Sequence, residues 1–373
     1  MATFKKINYP IFTLFILLCF QNLEVLNVGM SLKAYHVFVF ASLIIFISIV
    51  KTNKKHSVAY LFLFYVVSSS TVLYFFYELN TLIVNYLFCM LLLLISSSFT
   101  RFFPGDLLLT LRASAYVVLI SVLTLLLLGW KEVQLAKAAS ALSGVRPDMK
   151  MLVFSGGINL EATWACMLTV IFIRSRKLYF TILITAIFIT ASYQSRAGLI
   201  VVFLSLLLWF YYHGFLNIKK IIISIFFMIL IITFIIVNLE NIPILERFAN
   251  IGNEPGSMGR LNIWSYIPEA FSNSPIFGYG AGNAINSIKD LGFTGAEDNV
   301  HNLYLQILLD FGFLGLVLYI TMIFKLLRSD GLFEVKSFIV IYCILSFIEF
   351  RGGEAIIFFF FSLLNNSSCN ARK

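Results

Sequence analysis

The sequence predicts an all-α polytopic membrane protein with about 12 transmembrane helices and one large loop between the ninth and tenth. Three observations carry that prediction. Hydrophobic residues fill 60% of the 373 positions and charged residues only 12%, against roughly 25% charged in a soluble domain. Apolar runs of about 20 residues, enough to cross a hydrocarbon core ~30 Å thick, recur from end to end. The runs are rich in Leu, Ile and Phe and do not alternate polar with apolar. Their backbone groups are therefore paired inside helices rather than around a barrel.

Helices are expected at roughly 10–29, 33–50, 57–77, 80–98, 113–130, 158–173, 178–194, 197–212, 221–238, 302–324, 336–350 and 355–366. The first run follows Lys5 and Lys6 and continues into Gln21, Asn22 and Glu24. It lacks a small-residue cleavage site, so it reads as a membrane helix and not as a leader. The runs at 158–173, 178–194 and 355–366 are short for a span, and the last reads as re-entrant or tilted. With a cytoplasmic N-terminus, about 17 of the 27 Lys and Arg fall on the cytoplasmic side, among them Lys51, Lys54, Lys55, Arg101, Arg112, Arg174, Arg176 and Lys177. About 14 of the 18 acidic residues fall on the other side. Residues 1–373 read as a single integral membrane domain, with the large outer loop at 239–301 and a motif-bearing region at 190–316.

Several function classes recede at this point. The net charge of +9 sits in short clusters between apolar runs, where it orients helices, and forms no stripe for nucleic acid. Five scattered cysteines without CxxC spacing support neither a disulfide framework nor a zinc site, and no cofactor or metal is expected. No internal repeat marks inverted transporter halves, and the distinctive polar residues lie at the outer face instead of mid-membrane. A lipid-linked glycan transporter or flippase stays as the alternative of another class.

The outer loop has room for its own helices, and loops of this length tend to be functional. Ser257 is expected to cap a helix carrying Arg260, Trp264 and Ile267 on one face. Gly278, Gly280 and Gly282 form a tight turn, since no strand–helix context supports a dinucleotide site. Arg196 opens the eighth helix, where the dipole disfavours a cation. It either snorkels to the interface or meets an anion. Arg260 is either a solvated loop charge or a clasp for phosphate oxygens. His301 opens the tenth helix, which favours neutral imidazole; it is either a proton acceptor or an interface histidine bonded to a carbonyl. Asp310, nine positions on, faces the other side of that helix and reads as a buried, hydrogen-bonded or protonated carboxyl. Gly312 and Gly315 are expected to let another helix approach. Glu349, Arg351 and Glu354 read as a self-satisfied ion network.

Ordered along the chain, Ser195-Arg196-Ala197-Gly198, Gly259-Arg260 with Trp264, Ser274-Pro275-Ile276-Phe277-Gly278-Tyr279-Gly280, and His301-Asn302 followed nine residues later by Gly312-Phe313-Leu314-Gly315 resemble the O-antigen ligase and polymerase superfamily. That resemblance implies a metal-independent, membrane-embedded glycosyltransferase of the GT-C type in the bacterial inner membrane, active at the periplasmic face. Its donor would be an oligosaccharide on undecaprenyl diphosphate. Arg196 and Arg260 would hold the diphosphate, and His301 would take the acceptor's proton. Ser195, Trp264, Asn302 and Arg351 would line the substrate. The acceptor would be a lipid-linked repeat unit in a polymerase or the lipid A core in a ligase, with a chain-length regulator as a possible partner. The compact size, the Phe- and Ile-rich composition and the Gly-Tyr-Gly-Ala-Gly turn favour the polymerase; ligase is the alternative.

Overall fold

The computed structural model describes residues 6–27, 31–48, 54–77, 80–135, 152–215, 255–295, 297–350 and 352–364. In chain order the elements are α1 (Tyr9–Cys19), strands β1 (Glu24–Asn27) and β2 (Ser31–Lys33), α2 (Ala34–Ile45), α3 (Ser57–Leu73), α4 (Leu82–Phe102), α5 (Leu107–Leu128) and α6 (Gly157–Met167). They continue with α7 (Arg176–Tyr193), α8 (Arg196–Tyr212), α9 (Pro255–Asn273), α10 (Ala284–Asp290), α11 (Leu303–Arg328), α12 (Phe333–Leu345) and α13 (Ala355–Leu363). The chain divides into two compact units, Met1–Ser114 with Gly259–Lys373, and Ala115–Met258.

The fold is mainly helical, as expected. Among the described residues three helices, α4, α5 and α11, are long and apolar enough to cross a membrane, at 21, 22 and 26 residues. Shorter apolar helices accompany them, including α1, α2, α3 and α8. The predicted helix at 221–238, residues 136–151 of the first long loop, and residues 239–254 and 296 of the second lie outside the described residues.

Several boundaries differ from the sequence reading, among them the end of the first helix and the start of the fifth. The first helix stops at Cys19, because the polar run Gln21-Asn22 turns the chain into an antiparallel hairpin that pairs Glu24 with Lys33 and Leu26 with Leu32. The fifth starts at Leu107, which places Arg112 inside the helix and not in the preceding connection. Asp106 sets that start, since its side-chain Oδ1 accepts from Leu109 N at 3.0 Å.

In the first unit buried Asn8 ties three elements together. Its Oδ1 caps α1 by accepting from Ile11 N at 3.2 Å, its Nδ2 donates to Phe103 O at 2.8 Å, and its backbone N donates to Thr110 Oγ1 at 2.9 Å. α13 is buried along its whole length, as a helix apolar on all sides must be. Phe359 stacks on Phe15 of α1, with ring centroids 5.3 Å apart, and Phe360 stacks on Phe338 of α12 at 3.8 Å.

Contacts in this unit also sort by end. Residues that the charge pattern places on the cytoplasmic side touch one another: Asp106 N donates to Lys6 O at 2.8 Å, and His56 Nε2 lies 3.0 Å from Leu364 O. Residues placed on the other side do the same. Asn80 Nδ2 donates to Gly282 O at 3.2 Å, and Leu303 N donates to Ser346 O at 2.8 Å.

In the second unit α6 runs into a 3₁₀ turn at Leu168–Phe172 and packs with α7 and α8. Short side chains join them: Thr169 and Ser205 hydroxyls lie 2.7 Å apart, and Tyr179 OH lies 3.0 Å from Ser205 Oγ. Polar bridges of this kind hold helices together where lipid offers no hydrophobic drive.

A histidine, an arginine and two carboxylates at one end of the first unit

α9 builds this site from an apolar stripe. Ile263, Ile267 and Ala270 pack with Ala284, Ile285 and Ile288 of α10 and with Phe293, Val300 and Leu309. Burying one such isoleucine from water is worth about 1.5–3 kcal/mol, so the stripe fixes the rotation of α9. The helix begins at Pro255, a residue suited to a first helical position, so position 257 lies within its first turn and not at the N-cap.

With the stripe turned inward, Arg260 reaches the chain that follows α12. Its Nη1 donates to Ile348 O at 3.0 Å, and its Nη2 lies 3.7 Å from Glu349 Oε1. One turn further on, Trp264 Nε1 donates to Val300 O at 2.9 Å and pins the chain just before His301.

His301 takes a left-handed backbone conformation, φ 55°. Its own N–H donates to Asn299 Oδ1 at 2.9 Å. Asn302 then caps α11, its Oδ1 accepting from Tyr304 N at 3.0 Å and Leu305 N at 3.1 Å. The imidazole Nε2 meets Glu297 Oε2 at 3.0 Å, and both side chains are partly exposed. Gly259, the residue before Arg260, lies against this pair. A Cβ there would stand 3.3 Å from Glu297 Oε1. Arg260, Glu297, His301 and Glu349 are thus neighbours in one unit.

Behind the histidine runs a buried polar chain. Val300 N donates to Gln306 Oε1 at 3.1 Å, and Gln306 Nε2 donates to Asp310 Oδ2 at 3.0 Å. Asp310 also accepts from Gly282 N at 3.0 Å and Ala284 N at 2.8 Å, which caps α10 from another element. The expectation of a buried, hydrogen-bonded carboxyl is met, with the partners now identified.

Of the two glycines of α11, Gly315 meets a helix as expected and Gly312 does not. Gly312 has φ 66° and ψ −172°, so the helix is broken there. The freed carbonyls of Leu309 and Asp310 accept from Tyr279 N at 2.9 Å and Gly280 N at 2.7 Å, and Phe313 N donates to Pro275 O at 2.8 Å. What approaches at Gly312 is therefore the backbone of the Ser274–Gly282 loop and not a helix. A Cβ on Gly312 would collide with Ile276 O, and one on Gly278 with Leu309 O. Gly315 faces Tyr65 of α3, whose hydroxyl donates to Phe311 O at 2.9 Å.

The expected ion network after α12 turns on Arg351, but both of its carboxylates have partners among the described residues. Glu349 pairs with Arg260, while Glu354 accepts from Tyr342 OH at 2.7 Å and Gly352 N at 3.0 Å. Arg351 lies outside the described residues.

In the second unit Ser195 caps α8, its Oγ accepting from Gly198 N at 3.2 Å. Arg196 is the first residue of that helix and is half-buried. Gly198 packs against α6 and α7, where a Cβ would stand 2.8 Å from Thr190 Oγ1 and 3.4 Å from Ala162 Cβ. Buried Glu161 of α6 accepts from Val153 N at 3.1 Å and Phe154 N at 2.6 Å.

Of the residues expected to touch substrate, Ser195, Trp264 and Asn302 direct their polar atoms to backbone partners that set Arg196, the His301 loop and α11. Glu297 and Gln306 were not singled out from the sequence. The signal for Glu297 was an acidic residue four before the histidine. That for Gln306 was an amide side chain one helical turn from both Asn302 and Asp310.

Residues 162–320 match a family model described as O-Antigen ligase. The matched stretch runs from α6 into α11 and takes in Arg196, Arg260, His301 and the Gly312–Gly315 pair. A Rickettsia felis protein named "Putative polysaccharide ligase" is 26% identical over 97 residues, covering 24% of this chain. The match spans 24% of that relative's own length.

Proposed function

We propose that this chain is a membrane glycosyltransferase that moves a glycan from undecaprenyl diphosphate to an acceptor hydroxyl at the periplasmic face of the bacterial inner membrane. About twelve spans with both termini in the cytoplasm are part of that reading. The observation that carries it is the grouping of Arg260, His301 and Glu297 within the segment that matches the O-Antigen ligase model.

In the reaction, the acceptor oxygen attacks the anomeric carbon as the bond from that carbon to the diphosphate breaks. His301 takes the hydroxyl proton, and the bonding electrons leave with the diphosphate. Arg260 meets the charge that develops there, a kind of stabilisation that usually contributes most to such steps. Its contacts to Ile348 O and Glu349 leave guanidinium donors for phosphate oxygens. Arg196 is assigned to diphosphate by the family resemblance alone. Ser195, Trp264 and Asn302 act by holding these groups in place, and Arg351 is kept as a substrate contact by the same resemblance.

The acceptor separates two readings. The composition and the Gly-Tyr-Gly-Ala-Gly turn favour a lipid-linked repeat unit, hence a polymerase. The descriptions of the matched family model and of the matched relative favour a ligase, whose acceptor would be the lipid A core. Deleting the gene in its host and resolving lipopolysaccharide by electrophoresis tests both. A core bearing one repeat unit, without the ladder, identifies a polymerase. A bare core, with polymer accumulating on undecaprenyl diphosphate, identifies a ligase. An unchanged ladder overturns both.

A further inference from the structure

We infer that Glu297 is the positioning residue of His301, and that the imidazole nitrogen receiving the acceptor's proton is Nδ1. This rests on the reading of His301 as the base. An ionised carboxylate only accepts hydrogen bonds, so the 3.0 Å contact from Oε2 to Nε2 requires the proton on Nε2. In the neutral ring the lone pair then lies on Nδ1. Among the described residues, Nδ1 of His301 has no hydrogen bond, and the side chain as a whole is 22% exposed.

Two features hold the pair in register. Gly259 lets α9 pass close to Glu297 Oε1, and the Asn299 Oδ1 contact fixes the backbone of His301. When the acceptor O–H bond breaks, its proton goes to Nδ1, the oxygen bonds to the anomeric carbon, and the negative charge leaves on the diphosphate. The imidazolium formed faces Glu297 across the Nε2–H bond, so the carboxylate stabilises the charged ring at the moment of transfer. Among the described residues, further charges nearby are Asp298 on the same loop and Arg260, next to the Gly259 that lies against Glu297, with Glu349 paired to Arg260.

The test combines a spectroscopic readout with transfer. The full chain, labelled with ¹⁵N-histidine and placed in lipid nanodiscs, is compared as wild type, Glu297→Ala, Glu297→Gln and His301→Gln, the last assigning the His301 signals. The same variants are scored for lipopolysaccharide ladder in the deletion host at matched membrane levels. The expected result is a single Nε2–H tautomer in the wild type, and a mixture of tautomers with transfer lowered about ten-fold or more in Glu297→Ala. Glu297→Gln, which still offers an acceptor oxygen, keeps the tautomer and loses less. An unchanged tautomer or full transfer in Glu297→Ala overturns the inference and leaves His301 as the base. Full transfer in His301→Gln overturns the proposed role of His301 itself.

Discussion

His301 enters α11 with φ 55°, a conformation that costs a residue bearing a Cβ about 1–2 kcal/mol. Three hydrogen bonds surround that strain: Asn299 holds its N–H, Trp264 holds the preceding carbonyl, and Asn302 caps the helix that follows. The energy that orients the ring therefore comes from residues that need not touch substrate. His301→Ala is expected to lower transfer by about 10²- to 10⁴-fold, the usual contribution of general-base catalysis, with membrane levels unchanged. Arg260→Lys is expected to lose most activity as well, because a point charge does not reproduce the planar fork that reaches Ile348 O and Glu349 together. Ladder density in the deletion host checks both. Asn302→Ala should cost about 0.5–2 kcal/mol through the lost cap, read as a lower unfolding temperature in nanodiscs.

The element that organises the site is the broken helix α11. A backbone break inside an apolar helix leaves groups that lipid cannot satisfy, so it persists only where protein supplies partners. Here the Ser274–Gly282 loop supplies them through Tyr279, Gly280 and Pro275. Asp310, two residues before the break, reaches back to cap α10, and Gln306 passes the connection on to Val300. Gly312→Ala adds a Cβ where Ile276 O already stands, in a conformation that alanine disfavours. It is expected to destabilise the fold by about 1–3 kcal/mol or more and to lower transfer by displacing the loop. Asp310→Ala removes three hydrogen-bond acceptances at one buried carboxyl and is expected to cost about 3 kcal/mol or more, with Asp310→Asn costing less. Thermal unfolding of the purified variants in nanodiscs measures both. A Gly312→Ala protein with wild-type stability would mean that the break is not required.

At the scale of the molecule, the charge pattern and the contacts in the first unit agree on which ends lie together. The Lys6–Asp106 and His56–Leu364 contacts lie on the lysine-rich side, and the Asn80–Gly282 and Leu303–Ser346 contacts on the other. In a background without native cysteines, Glu269→Cys is expected to react with a membrane-impermeant thiol reagent added to spheroplasts. Asp330→Cys is expected to react only after permeabilisation. The reverse pattern would invert the proposed topology and remove the periplasmic site.

The sequence by itself determined the helical class, the apolar character and the stretch that bears the motifs. Each follows from composition and local spacing, which lipid and helix geometry read directly. It also placed Asp310 as a buried, hydrogen-bonded carboxyl, because nine helical positions fix the face relative to His301. Only tertiary structure decided how the motif glycines are used, since whether Gly312 meets a helix or a loop depends on a segment more than 30 residues away in the chain. The same holds for the pairing of Arg260 with Glu349 and for the two breaks in periodicity, at Cys19 and at Gly312. Such contacts are long-range choices between partners of similar chemistry. A pattern with a period of 3.6 or 7 residues carries no information about which of them wins.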